Sequence, residues 1–204
     1  MKLYYSPGAC SLSPHIALLE AGLPYELVRV DIRARKLANG DDYLRINPKG
    51  QVPALGLDNG AILTEGAVLV QIIADQVPER GLAPPRDSFE RYRLLEWLNF
   101  ISSELHKTFS PLFAPSLSND TKAFFKDRLM AKFAYVDTAL ASKDYLMGER
   151  FTVADGYVFT VLTWAEAMKF DLSGLPTLLA YKARVAARPM VQEALRREHD
   201  AQSA

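Results

Sequence analysis

The fold of the N-terminal part is indicated most clearly by residues 2–31, KLYYSPGACSLSPHIALLEAGLPYELVRVD. The two ends of this stretch, 2–5 and 25–31, are short runs rich in Val, Leu and Tyr, which predict strands. Residues 11–22 between them predict a helix, because a proline is tolerated in the first turn and Gly22 is a typical helix stop. Strand, helix and strand make a βαβ unit, which places two parallel strands in one sheet through a right-handed crossover.

A hairpin and a second helix follow this unit. Residues 52–57 and 61–65 predict two strands, and Asp-Asn-Gly at 58–60 predicts the turn between them, since glycine accepts a positive φ. Residues 66–77 predict a helix with one apolar face, formed by Val68, Leu69, Ile72, Ile73 and Val77. With a weaker helical stretch before the hairpin, the order βαβ-ββα predicts an α/β N-terminal domain over residues 1–77.

The remainder of the chain has the pattern of helices only. Residues 78–87 hold three prolines and one glycine, which predict a linker. From residue 88 onward apolar side chains recur at helical spacing, first at Leu94, Leu98, Ile101, Leu105 and Phe109. The stretch 152–155 has the spacing of a capping box, for which we expect a structural role. We therefore predict an all-α C-terminal domain over residues 88–204.

Composition narrows the classes of function. The 204 residues carry 24 Lys and Arg against 24 Asp and Glu, so we expect no nucleic acid and no anionic membrane as a partner. One cysteine and three scattered histidines exclude an intrachain disulfide and make a poor set of metal ligands, so we expect no metal. The absence of a signal-peptide core and of long apolar runs favours a cytoplasmic protein.

Cys10 is the first candidate for chemistry, because it stands where the first predicted helix begins. Backbone N–H groups and the dipole at a helix N-terminus stabilise a thiolate, so this position predicts a lowered pKa and a reactive thiol. The alternative is a small buried side chain without a reaction, as is common for a free cysteine. Ser13 occupies the place of a C-x-x-C partner, so any disulfide of Cys10 involves a second molecule.

Two further places suit a small ligand. Val52-Pro53 opens a predicted strand, where proline is tolerated; with a cysteine at the first helix it matches the thioredoxin-like fold, in which this proline is cis. Glu65-Gly66 lies where a strand becomes a helix, and helix N-termini bind anions. Glu65 attracts an ammonium group, so this pair would recognise a zwitterion. Alternatively, Glu65 only complements the helix dipole.

The helix from about 88 to 109 carries a polar line. At about 100° per residue, with Asn99 as zero, Ser103 falls near 40° and His106 near 340°, well separated from the apolar stripe at about 200° to 280°. A solvated face would show the same arrangement. Short hydrogen-bonding side chains and a histidine on an otherwise charged surface favour a line that faces a ligand.

Taken together, these motifs resemble the bacterial beta class of glutathione S-transferases over essentially the whole chain. The motifs that carry this resemblance are KLYYSPGACSLSPHI at 2–16, INPKGQVPAL at 46–55, LTEG at 63–66, EWLNFISSELHK at 96–107 and FTVAD at 151–155. The resemblance implies a thioredoxin-like N-terminal domain, an all-α C-terminal domain, a homodimer and glutathione as co-substrate.

The resemblance also implies roles for residues of the first domain. Cys10 would lie against the glutathione sulfur and be able to form a mixed disulfide with it. Val52 would make main-chain hydrogen bonds to the cysteinyl part, ahead of a cis Pro53. Glu65 and Gly66 would hold the γ-glutamyl end, in agreement with the zwitterion hypothesis.

In the helical domain the resemblance implies that Asn99 and His106 contribute to the site, with His106 near the sulfur. Ser103 and Glu104 would reach the glutathione bound by the other subunit. The glycyl carboxylate would be bound by Arg35, where the family commonly has lysine. Lys36 beside it is the alternative.

The expected function is conjugation of the glutathione thiolate to hydrophobic electrophiles, as in detoxification. Cys10 and His106 are the first candidates for activating the thiol, ahead of Tyr5 and Ser11. A glutaredoxin-like thiol-disulfide reductase or peroxidase, and a glutathione-dependent binding protein without turnover, are the alternatives. We expect the pocket of the second substrate to be lined by residues near Pro7, Gly8, Phe109, Phe113 and Trp164.

Overall fold

The computed structural model describes residues 1–203. Five strands are present: β1 Lys2–Tyr5, β2 Glu26–Asp31, β3 Lys36–Leu37, β4 Ala54–Gly56 and β5 Ile62–Thr64. Eight α-helices are present: α1 Leu12–Ala21, α2 Gly66–Ala74, α3 Phe89–Phe100, α4 Lys107–Phe109, α5 Asn119–Ala139, α6 Val153–Ala167, α7 Pro176–Ala186 and α8 Pro189–Ser203. These counts refer to the described part of the chain.

The chain folds as two compact units. The first comprises Met1–Ala83 together with the chain from Ala187 onward, and the second comprises Pro84–Ala186. The helical pattern of the sequence predicts one domain over all of residues 88–204. The last helix departs from that prediction because α8 packs on α1 of the first unit.

The first unit contains a five-stranded sheet of order β3-β2-β1-β4-β5. The pair β1–β2 is parallel, as the βαβ prediction requires, and the three other pairs are antiparallel. The predicted order βαβ-ββα and the thioredoxin-like fold class are confirmed. The short strand β3 was not predicted, and the weak helical stretch before the hairpin is a 3-10 turn, Tyr43–Arg45.

Two glycines act as the sequence predicts. Gly22 ends α1 with a φ of 67° and donates its N–H to carbonyls of the last helical turn. Gly60 has a φ of 84° in the turn between β4 and β5. The face of α2 is only partly as expected, because Leu69 and Ile73 are buried whereas Val68 is 47% exposed.

A small apolar cluster on the sheet fixes the loop before β4. Tyr4 of β1, Val52 and Tyr43 are buried in this cluster. The Tyr43 hydroxyl donates to the Gln51 carbonyl at 2.9 Å, and the amide of buried Asn47 donates to the same oxygen at 2.7 Å. Because both donors are buried, moving this loop would leave polar groups unpaired.

The second unit is helical and is organised around α6. Every residue from Val153 to Leu162 is buried. The predicted apolar stripe on the preceding long helix is confirmed, since all five residues named for it are buried. None of the described helices combines the length and apolar character that crossing a bilayer requires.

The predicted capping box is confirmed at the start of α6. Asp155 is completely buried and accepts hydrogen bonds from the Thr152 N–H at 2.7 Å, the Leu146 N–H at 2.9 Å and the Tyr181 hydroxyl at 2.9 Å. Burial raises the pKa of Asp155, and these donors oppose that shift. This carboxylate therefore joins the loop before α6 to α7.

We predict that Asp155→Ala lowers the free energy of unfolding by at least about 3 kcal/mol, because four buried donors, including the Thr152 hydroxyl, lose their acceptor. Chemical denaturation of both proteins measures this difference. The control is Asp171→Ala, which removes an exposed aspartate that is hydrogen-bonded to the main chain and the side chain of Ser173, and we expect it to cost less than about 1 kcal/mol. Equal losses in the two variants would contradict the assigned role of Asp155.

Candidate functional site

The loop between β1 and α1 carries Cys10 in a closed turn. The Ser11 hydroxyl accepts from the Ser6 N–H and donates to the Ser6 carbonyl, both at 3.1 Å. The Ala9 N–H donates to the same carbonyl at 3.0 Å. Ser11 is buried, so this hydroxyl holds the two ends of the turn together rather than facing a ligand.

The Cys10 thiol is protonated, contrary to the prediction of a thiolate. Its Sγ donates to the Val52 carbonyl at 3.1 Å. Burial raises its pKa to about 12; the N–H groups of Cys10 and Ser11 lower it by less, and the charges of Glu65 and Glu198 raise it further. The physical reason is that Cys10 precedes the cap of α1, where desolvation exceeds the effect of the helix N-terminus.

Val52 precedes a cis peptide bond to Pro53, as the thioredoxin-like pattern predicts. Its carbonyl accepts the Cys10 thiol, whereas its N–H donates to none of residues 1–203. The main chain of Val52 thus presents one donor and one acceptor beside the thiol. A passing peptide group pairs with such an arrangement as it would with a neighbouring strand.

Glu65 caps α2 in an uncommon backbone conformation, with φ 69° and ψ 107°. Its carbonyl accepts from the Val68 N–H at 2.8 Å and the Leu69 N–H at 3.0 Å. The N–H groups of Gly66 and the following residue belong to the first turn of the helix, where they have no helical acceptor. A carboxylate and free amide donors therefore lie at one helix end, with the Glu65 side chain exposed.

Sequence reasoning missed a cation at this helix end. The Lys49 ammonium lies 2.5 Å from the Glu65 Oε1 and 3.0 Å from the Thr64 hydroxyl. Lys49 belongs to the quoted INPKGQVPAL motif, yet nothing in its spacing from Glu65 indicates the contact. Only the folded loop brings the two side chains together.

Of the two candidates for the glycyl carboxylate, Arg35 lies beside the loop that contains Lys49. A Cβ atom built on Gly50 would meet the Arg35 Nε at 3.4 Å, so the guanidinium stem lies against this glycine. Arg35 is exposed and has a φ of 55°, whereas Lys36 is paired in β3 opposite Asp31. The geometry favours Arg35 as the cation near the site.

The last helix also reaches the Cys10 loop. The buried Glu198 of α8 accepts from the Gly8 N–H at 2.9 Å, and its other oxygen lies 3.1 Å from the Nδ1 of buried His15. The contact and its burial indicate a structural role for His15. No signal in the sequence indicated Glu198, because its two partners are more than 180 residues away in the chain.

The long helix of the second unit changes type where the polar line lies. Residues Ile101–His106 form a π-helical turn, in which the Lys107 N–H donates to the Ser102 carbonyl five residues earlier. The hydroxyls of Ser102 and Ser103 both donate to the Asn99 carbonyl. A π turn rotates less per residue than 100°, so the angles calculated for Ser103 and His106 do not hold.

His106 consequently differs from the two other residues of the predicted line. Asn99 and Ser103 are exposed, whereas His106 is half-buried. Its Nδ1 lies 2.7 Å from the Tyr157 hydroxyl, and its ring packs edge-on against Trp164 with centroids 5.0 Å apart. The imidazole is thus oriented by α6.

Glu104, on the same turn, forms an ion pair with Lys132 of α5. The Lys132 ammonium holds the pKa of Glu104 below its usual value. Phe113 further along is 53% exposed and lies edge-on against Trp164, with ring centroids 5.6 Å apart. An exposed aromatic surface therefore begins close to His106.

The structure brings the candidate residues together as two sets. In the first unit Cys10 contacts Val52, and Lys49 joins its loop to Glu65 at the start of α2. The second set shares one helix: Asn99, Ser103, Glu104 and His106. Among the described residues no group of three or more His, Cys, Asp or Glu is arranged to hold a metal ion.

Two family models match the chain. The glutathione S-transferase N-terminal domain matches residues 8–76, and the glutathione S-transferase C-terminal domain matches residues 100–189. Among curated proteins, glutathione S-transferase GstA of Escherichia coli O157:H7 is 51% identical over 198 residues, which cover 97% of this chain and 98% of that protein.

Solved structures are similar over nearly the whole length. A sphingomonad glutathione S-transferase in complex with glutathione is 47% identical, with a TM-score of 0.95 over 98% of this chain and 99% of that chain. A bacterial beta class glutathione S-transferase of Sphingomonas chungbukensis is 46% identical, with a TM-score of 0.94 over 97% and 98% of the two chains.

We predict that Cys10 reacts slowly with iodoacetamide near neutral pH. A pKa of about 12 in place of 9.0 gives a roughly thousandfold smaller thiolate fraction. The alkylation rate should rise with pH up to about 11 without a plateau, and should increase sharply in the unfolded protein, where the desolvation is lost. If the alkylation rate instead reaches a plateau with a midpoint below pH 9, the pKa of Cys10 is not raised and the contacts described here do not determine it.

Proposed function

Since the chain belongs to the glutathione S-transferase family, within its bacterial beta class, we propose that it conjugates the glutathione thiolate to hydrophobic electrophiles. The proposal rests on one arrangement in the first unit. The Cys10–Val52 contact beside cis Pro53 and the Glu65–Gly66 helix end offer complementary groups to successive parts of the tripeptide. No metal is needed for this reaction, because glutathione supplies the nucleophile.

The γ-glutamyl end of glutathione is a zwitterion. Its ammonium is recognised by the Glu65 carboxylate, and its carboxylate by the free N–H groups at the start of α2, beginning with Gly66. Gly66 has no side-chain hydroxyl, so only main-chain donors serve the carboxylate here. The exposure of Glu65 leaves its second oxygen accessible to the ligand.

The remainder of the tripeptide fits the neighbouring segments. The Val52 N–H and carbonyl pair with the main chain of the cysteinyl residue, as in an added strand. The Arg35 guanidinium binds the glycyl carboxylate, for which a planar fork of donors is well suited. Binding by several separated groups orients the glutathione sulfur toward Cys10.

Cys10 permits a second activity at the same site. In its thiolate form, its sulfur attacks one sulfur of oxidised glutathione; the S–S bond breaks, one glutathione leaves as thiolate, and a mixed disulfide forms. A further glutathione thiolate then attacks this disulfide and releases Cys10. The raised pKa of Cys10 disfavours the first step at neutral pH, so conjugation is the primary activity and thiol-disulfide exchange the secondary one.

We further propose roles for residues of the second unit, as the family resemblance implies. His106 acts on the glutathione sulfur as a hydrogen-bond donor, and Asn99 contributes to glutathione binding. The exposed ring of Phe113, which packs on the buried Trp164, suits the hydrophobic electrophile. In a homodimer, Ser103 and Glu104 reach the glutathione of the other subunit. Detoxification in the cytoplasm is the corresponding biological role.

The first test compares the wild type with Cys10→Ala. Since Cys10 is the only cysteine, an intact-mass increase after incubation with oxidised glutathione reports a mixed disulfide at this residue. We expect one adduct in the wild type and none in the variant, while conjugation with a chloronitrobenzene electrophile is retained in both.

Two other results would contradict conjugation as the primary activity and favour one of the alternative functions. Loss of conjugation in Cys10→Ala together with loss of disulfide reduction would assign Cys10 the central step and favour the reductase. Saturable binding of apolar ligands without product from a panel of electrophiles would favour the binding protein without turnover.

For His106 we predict that His106→Phe lowers kcat/KM for conjugation by at least roughly tenfold, because the donor to the sulfur is lost. The melting temperature should fall by only about 2–4 °C, since the aromatic packing on Trp164 is kept while the hydrogen bond to Tyr157 is removed.

Tyr157→Phe is the matched control for this variant. It breaks the same hydrogen bond from the other side and leaves the imidazole in place. Equal losses of kcat/KM in the two variants would show that the contact, and not the imidazole, matters for turnover.

A further inference from the structure

The exposed carboxylate of Glu65 is held by a cation from another loop. The Lys49 Nζ lies 2.5 Å from the Glu65 Oε1 and 3.0 Å from the Thr64 Oγ1. Within residues 1–201, the second oxygen of Glu65 makes no hydrogen bond. Lys49 thus bridges β5 and the cap of α2, and leaves one carboxylate oxygen open.

The loop that carries Lys49 is itself rigid. The Lys49 N–H donates to the Asn47 Oδ1 at 3.2 Å, and the Gly50 N–H donates to the Asn47 carbonyl at 2.8 Å. The buried Asn47 amide in turn donates to the Gln51 carbonyl at 2.7 Å. The stem of Lys49 therefore starts from a fixed point, so the salt bridge restrains Glu65 more than a pair between two mobile loops would.

Glu65 needs such a restraint. Its φ of 69° is uncommon for a residue with a side chain, and residues held in sparsely populated backbone regions cluster at ligand sites. An unrestrained glutamate loses much rotamer freedom when a ligand orders it. A carboxylate that is already ordered before binding avoids that loss.

We propose that Lys49 is a positioning residue for glutathione, acting through Glu65. It holds the Oε1 atom, so that the open oxygen of the same carboxylate accepts the α-ammonium of the γ-glutamyl group. This inference rests on the proposed function and adds to it the residue that sets the orientation of Glu65. Lys49 itself contacts neither the sulfur nor the electrophile.

The test is the Lys49→Met variant, which keeps an unbranched side chain only one atom shorter and removes its charge. We expect KM for glutathione to rise roughly three- to fivefold, the range that an exposed ion pair supports, with kcat unchanged within about twofold. Lys49→Arg restores the pair and should return KM toward the wild-type value.

A matched control is available in the same unit. Lys2 forms an exposed ion pair with Glu26 at 3.1 Å, with side-chain exposures of 55% and 60% against 53% and 65% for Lys49 and Glu65. Lys2→Met therefore removes a comparable pair that lies outside the proposed site. It should leave KM for glutathione unchanged.

Two unreactive ligands separate the mechanism from a general effect. Titration calorimetry with S-methylglutathione should show the weakening in Lys49→Met, whereas an analogue whose α-ammonium is replaced by hydrogen should bind both proteins equally. Equal weakening of the two ligands, or of neither, would overturn the inference. Failure of the wild type to bind S-methylglutathione would instead overturn the proposed function, whatever the variant does.

Discussion

Two buried donors converge on the carbonyl oxygen of Gln51, and the geometry of the first unit's site depends on this convergence. The Tyr43 hydroxyl reaches it from the 3-10 turn and the Asn47 amide from the start of the loop itself. Neither donor has access to water that could replace the carbonyl, so the loop cannot shift without a substantial cost in free energy. A segment without regular secondary structure is thereby held in one conformation by buried hydrogen bonds.

The groups proposed to bind ligand take their positions from that loop. Val52 follows it directly, and its carbonyl accepts the Cys10 thiol from the turn before α1. Lys49 projects from it and holds the carboxylate of Glu65 at the start of α2. Three segments that are distant in sequence are therefore held by contacts with one loop. The positions of the Cys10 thiol, the Val52 main chain and the Glu65 carboxylate are set before any ligand binds.

Sequence reasoning succeeded where the determining interaction is local. The stop at Gly22 and the capping box around Asp155 each depend on residues within a few positions, and periodicity predicted the buried stripe of the long helix. It failed where a distant contact decides. Three contacts have no local signal: the hydrogen bond from Cys10 to Val52, the pairing of Lys49 with Glu65 and the packing of α8 on α1. The π turn was not predicted either, because its sequence is compatible with an ordinary α-helix.

The protonated state of Cys10 connects these points with catalysis. Its S–H is a weak donor, and it occupies the Val52 carbonyl, which in the proposed binding mode also accepts the main-chain N–H of the cysteinyl residue. An amide is the stronger donor, so a bound tripeptide competes favourably for that oxygen. Glutathione itself would then release the thiol from its partner, whereas in its absence the thiol stays hydrogen-bonded to Val52.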